Sequence, residues 1–369
     1  MCRLNAFLCE RVVLVLLVLS LLFSVSCAAK DESEQLAETP DALLHALWTP
    51  EQLAGTPQDI KGQPALKTPD FSGPARRRPL HNLPPVQPGH IRAVHIPLEN
   101  FHSTNATAPN PNLIALTFDL CELTSRVSGY NAELVNLLRK ERIPATFFAG
   151  GKWMRDHPEK TIQLMADPLF EIGNHNWTHG NMGVMDKSQM RDQILFTQAQ
   201  YELLREQLAQ RAAKAGLAAQ MDAIPQVPTL YRLPYARSSK DAVQLIARLG
   251  LTSILWDCQG EEKRLPSIFP NTSRSHVATG FPPGSVVSGS IMLLHGNGIP
   301  KRTNTNLPQI IRQLKAHGFT FLSVSELLKR GTPIRTNKGY FMHPNDNAAV
   351  DAMFGNGTVG SSWWKKHKK

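Results

Sequence analysis

Two histidines spaced four residues apart and one isolated aspartate follow apolar runs of the sequence. His175 and His179 come at the end of the run 169–174, and Asp119 closes the run 113–118. Imidazole and carboxylate groups suit a divalent ion such as zinc, and two histidines with one carboxylate leave coordination positions open for water and substrate. These residues indicate a metal-assisted hydrolase.

The elements that must position these residues alternate along the chain. Predicted strands cover 113–118, 145–149, 169–173, 229–233, 252–256, 290–294 and 320–324, and predicted helices cover 131–142, 158–166, 187–220, 239–249 and 307–317. Strands that alternate with helices pair in parallel through right-handed crossovers, and this many units favours closure into a barrel. Polar residues at the strands' carboxyl ends then converge on one face.

Composition narrows the class of protein. The chain has 369 residues, of which 42% are hydrophobic, so it can bury a sizeable core and is not a disordered protein. The formal net charge of +10 favours anionic surroundings, such as a polyanionic envelope or anionic lipid, over nucleic acid.

The N-terminus resembles an export signal. Arg3 and Arg11 precede an uncharged apolar run, 12–23, which small residues follow up to Ala29. The run is short for a hydrocarbon layer of about 30 Å, so residues 1–29 are interpreted as a signal peptide. Cleavage before Cys27 would give a lipoprotein; cleavage near Ala29 and an uncleaved anchor are the alternatives. Each places the remainder outside the cytoplasm, in the periplasm or cell envelope, and the lipoprotein or the uncleaved anchor would also hold it to a membrane.

Two segments flank the predicted globular domain, 111–330. Residues 30–110 are rich in proline and are expected to be largely irregular, apart from a short helix at 41–53. Residues 331–369 are expected to form a flexible basic tail.

The domain keeps two cysteines, Cys121 and Cys258. Both follow strand-like runs, so they could meet at one end of the sheet as a disulfide, or remain free thiols. A third interpretation makes Cys121 a soft metal ligand.

Five segments occur in the order typical of a known family. They are Thr-Phe-Asp-Leu-Cys-Glu at 117–122, His-Asn-Trp-Thr-His at 175–179, Arg-Leu-Pro-Tyr at 232–235, Leu-Trp-Asp at 255–257 and Leu-Leu-His at 293–295. The region 112–330 thus resembles the polysaccharide deacetylases, the NodB homology group of carbohydrate esterase family 4. The resemblance implies a distorted (β/α) barrel, a divalent metal, zinc above all, and removal of acetyl groups from N-acetylated sugars.

The resemblance also implies residue roles. Asp119 matches the general base and is a candidate metal ligand with His175 and His179. Arg232 matches the residue that orients Asp119.

The resemblance of the segments 232–235, 255–257 and 293–295 implies the residues that stabilise the oxyanion and protonate the leaving amine. Tyr235 would offer its backbone N–H to the oxyanion, and His295 matches the general acid. We expect Asp257 to hold His295, with Glu262 as the rival. Amide hydrolysis needs these parts together, because water must be activated, the tetrahedral intermediate stabilised and the leaving amine protonated.

The chain departs from the family beside the base. Leu120 stands where a second, metal-binding acid is usual. Asp119 itself, Glu122 or water would then complete the metal shell.

The predicted function is metal-dependent hydrolysis of acetamido groups on an N-acetylglucosamine-containing polysaccharide, whether peptidoglycan, an exopolysaccharide or a chitin-like polymer. Two alternatives stay open: a catalytically silent glycan-binding barrel, and a metal-free amide hydrolase of the same fold.

Overall fold

The computed structural model describes residues 39–63, 65–97, 112–273, 284–299 and 302–337. The predicted signal peptide 1–29 and most of the predicted tail lie outside these residues. Within the described ranges, no helix combines the length and apolarity needed to cross a membrane.

The described strands form one large sheet and one small one. They are β1 His90–His95, β2 Leu113–Leu120, β3 Ala145–Ala149, β4 Phe170–Asn174, β5 Leu230–Tyr231, β6 Thr252–Ile254, β7 Cys258–Gln259, β8 Ile268–Ser273, β9 Val286–Ser288, β10 Ser290–His295, β11 Thr320–Phe321 and β12 Thr332–Thr336. In the large sheet the order β2-β3-β4-β5-β6-β1-β10 closes on itself, because β10 also pairs with β2. All these pairs are parallel except β1 with β10. The predicted barrel is confirmed.

Helices follow most barrel strands. They are α1 Ala42–Leu47, α2 Pro50–Ala54, α3 Ala132–Lys140, α4 Gly151–Asp156, α5 Pro158–Ala166, α6 Lys187–Lys214, α7 Lys240–Arg248, α8 Arg302–Ala316 and α9 Val324–Leu328. Side chains at several N-termini accept backbone N–H groups, as Asn131 does for α3 and Ser239 for α7. Such caps satisfy amides that have no partner inside the helix, so they set where each helix begins.

Strand β2 shows how the sequence positions the site. All eight of its residues are buried, as expected for a parallel strand covered on both faces. Its even-numbered apolar residues belong to one core cluster, whereas Ala115 belongs to another. Because side chains alternate along a strand, Asp119 lies on the face opposite to Leu120.

The predicted domain boundaries 111–330 are too narrow. β1, inside the segment expected to be irregular, is a barrel strand, and β12 pairs antiparallel with it from inside the expected tail. Neither strand was predicted. β1 follows a proline-rich stretch and carries two histidines and an arginine, so it lacks the apolar pattern of a buried strand.

The earlier part of the N-terminal segment also packs on the domain. The predicted helix 41–53 is two short helices, α1 and α2, and Trp48 between them is buried in the main core cluster. Farther along, the buried carboxylate of Glu202 in α6 accepts the backbone N–H groups of Leu80 and His81, and pairs with Arg76 at 3.0 Å. Residues 65–89 contain no helix or strand, as predicted for this composition.

Candidate active site

The site residues gather where the barrel strands end. β10 runs parallel to β2 in a register that sets His295 beside Asp119. β4 and β5 pair at their final residues, and the next residues along the chain are His175 and Arg232. Because parallel strands end on one face of a barrel, the four side chains share that face.

Arg232 is fully buried and fixes the carboxylate of Asp119. Its Nη1 donates to Asp119 Oδ1 at 3.0 Å and to Thr117 Oγ1 at 2.7 Å. Its Nε and Nη2 donate to two backbone carbonyl oxygens at the end of β6, at 3.3 and 3.1 Å. The guanidinium carbon lies 4.0 Å from the ring centre of Phe148, a cation–π contact. The residue therefore holds Asp119 in one orientation.

His175 presents one ring nitrogen to the site. Its Nδ1 lies 2.9 Å from the carbonyl oxygen of Arg232. A carbonyl oxygen only accepts, so Nδ1 carries a hydrogen, and in the neutral ring Nε2 keeps its lone pair. Nε2 lies 3.5 Å from Asp119 Oδ2 and 3.5 Å from the sulfur of Cys121. Burial lowers the pKa of His175, but the neighbouring Asp119 and Cys121 raise it overall.

Cys121 stands at the centre of the cluster. Its sulfur and donor atoms of His175 and His179 lie within 4.8 Å of one another, and so do donor atoms of Cys121, Asp119 and His295. Asp119 belongs to one of these groups and His175 and His179 to the other, and the Cys121 thiol is common to both. Cys121 and Cys258 are not joined by a disulfide, which decides between the disulfide and the two thiols that the sequence left open.

The predicted partner of His295 is wrong. The carboxylate of Asp257 accepts the hydroxyl of Ser290 and the backbone N–H of Ile291, both at 2.9 Å, and so fixes the start of β10. Glu261 accepts instead the backbone N–H of His295, at 2.6 Å, and lies 2.8 Å from its Nδ1.

Glu261, which was not among the predicted site residues, is itself held by a hydrogen bond. Its Oε1 accepts the hydroxyl of Thr303. Glu262, the alternative partner predicted for His295, accepts a hydrogen bond from the side chain of Asn306 with its backbone carbonyl. The only signal for Glu261 was its place in an acidic run after β7, and a loop has no periodicity to select one acid over the next.

Glu122 occupies a separate buried cluster. Its carboxylate pairs with Lys152 at 2.6 Å, both side chains having no exposed surface, and accepts the backbone N–H of Ser128 at 2.9 Å. Lys152 also reaches Asp156 at 2.8 Å. Among the described residues, neither group of candidate metal ligands contains Glu122. The structure therefore gives this acid a structural ion pair instead of the predicted metal contact.

The loop that carries His179 has a backbone that side chains rarely adopt. Asn176 and His179 have φ values of 64° and 57°. Asn176 accepts the hydroxyl of Tyr231 at 2.8 Å and donates to the carbonyl of Gly180 at 3.0 Å. Left-handed conformations of such residues cost free energy and persist where the surroundings enforce them, often at functional sites.

Tyr235 lies beside this loop. Its ring centre is 4.2 Å from that of His179, and its backbone is also left-handed, with φ 59°. The contact places residue 235 next to the ligand cluster, and its backbone N–H as an oxyanion donor stays a prediction.

Charges within the cluster shift several pKa values. Burial would raise the pKa of the Cys121 thiol, but His179 and His175 bring it well below its usual range. Burial would lower the pKa of His295, but hydrogen bonds to Cys121 and Glu261 raise it well above its usual range. The site therefore favours a thiolate beside a protonated His295, a group able to donate a proton.

Comparisons of the sequence with known proteins agree with the five motifs. The family model described as polysaccharide deacetylase matches residues 106–254. A bifunctional xylanase/deacetylase of Pseudobutyrivibrio xylanivorans is 26% identical over 62% of this chain and 32% of its own length. A peptidoglycan-N-acetylglucosamine deacetylase of Listeria monocytogenes is 25% identical over 62% of this chain and 41% of its own length.

The chain therefore spans 32% and 41% of the lengths of these two relatives. A solved structure, that of a CE4 family pseudoenzyme from Bacillus anthracis, has a TM-score of 0.45 and 20% identity, covering 68% of this chain and 72% of its own. The five motifs and the family match agree, so residues 106–254 are similar to the polysaccharide deacetylases.

Proposed function

We propose that the protein hydrolyses acetamido groups of an N-acetylglucosamine-containing glycan with the help of a bound divalent metal, zinc in the first place. One observation carries the proposal. Asp119 and His295 are register partners at the ends of β2 and β10, so a carboxylate base and an imidazole acid flank one space. His175 and His179, in the loop after β4, lie close to the Cys121 sulfur, which is also close to Asp119 and His295.

The donor set fits a metal. His175 and His179 offer imidazole nitrogens, and the hydrogen bond of His175 Nδ1 to a carbonyl is the arrangement that orients histidine ligands. A bound divalent ion supplies Lewis acidity and lowers the pKa of water, which amide hydrolysis requires.

Asp119 acts as the base. Its Oδ1 is held by Arg232, so Oδ2 is the oxygen free to take a proton from the attacking water. Oδ2 also lies 3.5 Å from His175, which keeps the water's site beside the histidines. A positioned general base typically contributes about 10²–10⁴ to the rate.

His295 acts as the acid. Glu261 at its Nδ1 fixes the ring and stabilises the imidazolium, so Nε2 is the nitrogen that donates a proton to the departing amine. Base and acid lie on neighbouring strands, and each can serve one side of the scissile amide.

The substrate class rests on the relatives. One of them is named for peptidoglycan N-acetylglucosamine and another for a xylanase/deacetylase, so an N-acetylated wall glycan is the first candidate. The net charge of +10 favours an anionic polymer of that kind. Export to the cell envelope, with or without a membrane anchor, is part of the proposal and is tested by fractionation of the tagged chain.

The decisive experiment measures acetate release by the whole chain from N-acetylglucosamine oligomers and peptidoglycan, after metal removal and after addition of zinc. We expect zinc-dependent release that Asp119→Asn abolishes and His317→Asn, an exposed control, leaves unchanged. Glycan binding without release under any metal would replace the proposal by a silent binding barrel. Release that persists without metal would replace it by metal-free hydrolysis.

A further inference from the structure

A sulfur side chain lies one residue beyond the position where the family resemblance leads one to expect a second acid. Leu120 holds the position of the usual second acid, and its side chain is buried in the main core cluster. Cys121, the first residue after β2, has its sulfur within 4.8 Å of a carboxylate oxygen of Asp119. The end of β2 therefore offers the site a carboxylate and a thiol, two residues apart.

The separation of the sulfur from the first histidine suits a shared metal. Cys121 Sγ lies 3.5 Å from His175 Nε2. Zinc bonds of about 2.3 Å to sulfur and about 2.0–2.1 Å to nitrogen, at a tetrahedral angle, put these two atoms about 3.6 Å apart. The donor atom of His179 completes the group within 4.8 Å.

The backbone around the sulfur is fixed. Asn297 Nδ2 donates to the carbonyl of Cys121 at 2.7 Å, and the backbone N–H of Gly150 donates to the carbonyl of Leu120 at 3.1 Å. Cys121 is half-buried, so its neighbourhood is open to solvent on one side. A fixed ligand group with an open side is the arrangement of a catalytic metal site.

Building on the proposed function, we propose that Cys121 is the third protein ligand of the metal, in a Cys-His-His site with His175 and His179. The thiolate replaces the carboxylate that Leu120 removes from the usual position. Sulfur and imidazole together select zinc or cobalt over the hard ions magnesium, calcium and manganese, which prefer oxygen. Asp119, held by Arg232, is then left to act as the base.

Cobalt provides a readout that does not depend on activity. The whole chain, freed of metal, is titrated with Co²⁺, and the near-ultraviolet sulfur-to-cobalt charge-transfer band is recorded before zinc is added in competition. We expect the band in the wild type and its loss in Cys121→Ser, with zinc affinity reduced by at least about 100-fold, beyond the range seen for outer-shell partners. Cys121→Asp should bind cobalt without the band.

Cys258→Ser is the matched control. Its thiol is buried in β7, where its sulfur lies 3.7 Å from the carbonyl of Ile291. This variant should keep both the band and the zinc affinity. Equal urea midpoints for the wild type and Cys121→Ser would show that the loss is not unfolding.

The outcomes separate this inference from the proposed function. If cobalt and zinc bind without the band while acetate release still requires metal, Cys121 is not a ligand and the proposed function stands. If Cys121→Ser binds zinc as tightly as the wild type, the inference also fails. If no metal binds and release survives metal removal, the metal-dependent function fails together with it.

Discussion

Acid should destabilise this protein in part through one buried histidine. His90, at the start of β1, has no exposed surface, and its Nδ1 lies 2.8 Å from the hydroxyl of Ser253. Its Nε2 is buried without a hydrogen bond to any described atom. Burial, and to a lesser degree the charge of Arg92, lower the pKa of His90 from 6.5 to about 4.

The sign and size of the effect follow from proton linkage. Between pH 6.5 and about 4 the unfolded chain binds a proton that folded His90 does not, so the free energy of unfolding falls as the pH falls through this window. Above the unfolded pKa the contribution is fully present. The two pKa values differ by about 2.5, and at about 1.36 kcal/mol for each unit the full contribution is on the order of 3 kcal/mol.

The assay is urea unfolding of the wild type and His90→Asn from pH 7 to 4.5. Asparagine keeps a polar atom near Ser253 but cannot titrate in this range. The stability difference between the two proteins should change by about 2 kcal/mol across the range, in the direction that penalises the wild type in acid. His317→Asn, which replaces an exposed histidine, should follow the wild type. Parallel pH curves for the wild type and His90→Asn would refute the reasoning.

Three further predictions concern the site and its support. Arg232→Lys keeps a positive charge but cannot hydrogen-bond to all four acceptors that Arg232 contacts. It should lower the free energy of unfolding by at least about 2 kcal/mol in urea titrations and reduce kcat/KM for acetate release. A variant as stable as the wild type would contradict this. Glu261→Gln should lower kcat by about 10²–10⁴ and move the basic limb of the pH–rate profile to lower pH, because the carboxylate raises the pKa of His295. Glu262→Gln is the control. A basic limb that does not move in Glu261→Gln would count against the contact between Glu261 and His295. Lys152→Met removes the ion-pair partner of the buried Glu122 carboxylate and should cost about 3–5 kcal/mol of stability. The zinc affinity, measured by calorimetry, should stay unchanged. A weakened zinc affinity would show that this ion pair supports the metal site.

The hydrophobic periodicity and the order of the motifs predicted much of the fold and of the site. Most barrel strands and the helices after them were predicted within a few residues, because buried parallel strands and amphipathic helices leave strong patterns. The same patterns placed Asp119, His175, Arg232 and His295 at strand ends. Parallel pairing then implied that they meet on one face, and the register between β2 and β10 shows this for base and acid.

The sequence by itself thus determined the barrel, the resemblance to a family and the residues at the ends of most strands. Only the tertiary structure decided which acid holds His295, where the sulfur of Cys121 lies and that β1 completes the barrel. Asp257 and Glu261 are four residues apart in a stretch of short strand and loop, and the choice between them depends on how β7 meets β10. The physical reason is that periodic elements fix the direction of each side chain locally, whereas contacts between loops and distant strands depend on packing that no short stretch of sequence encodes.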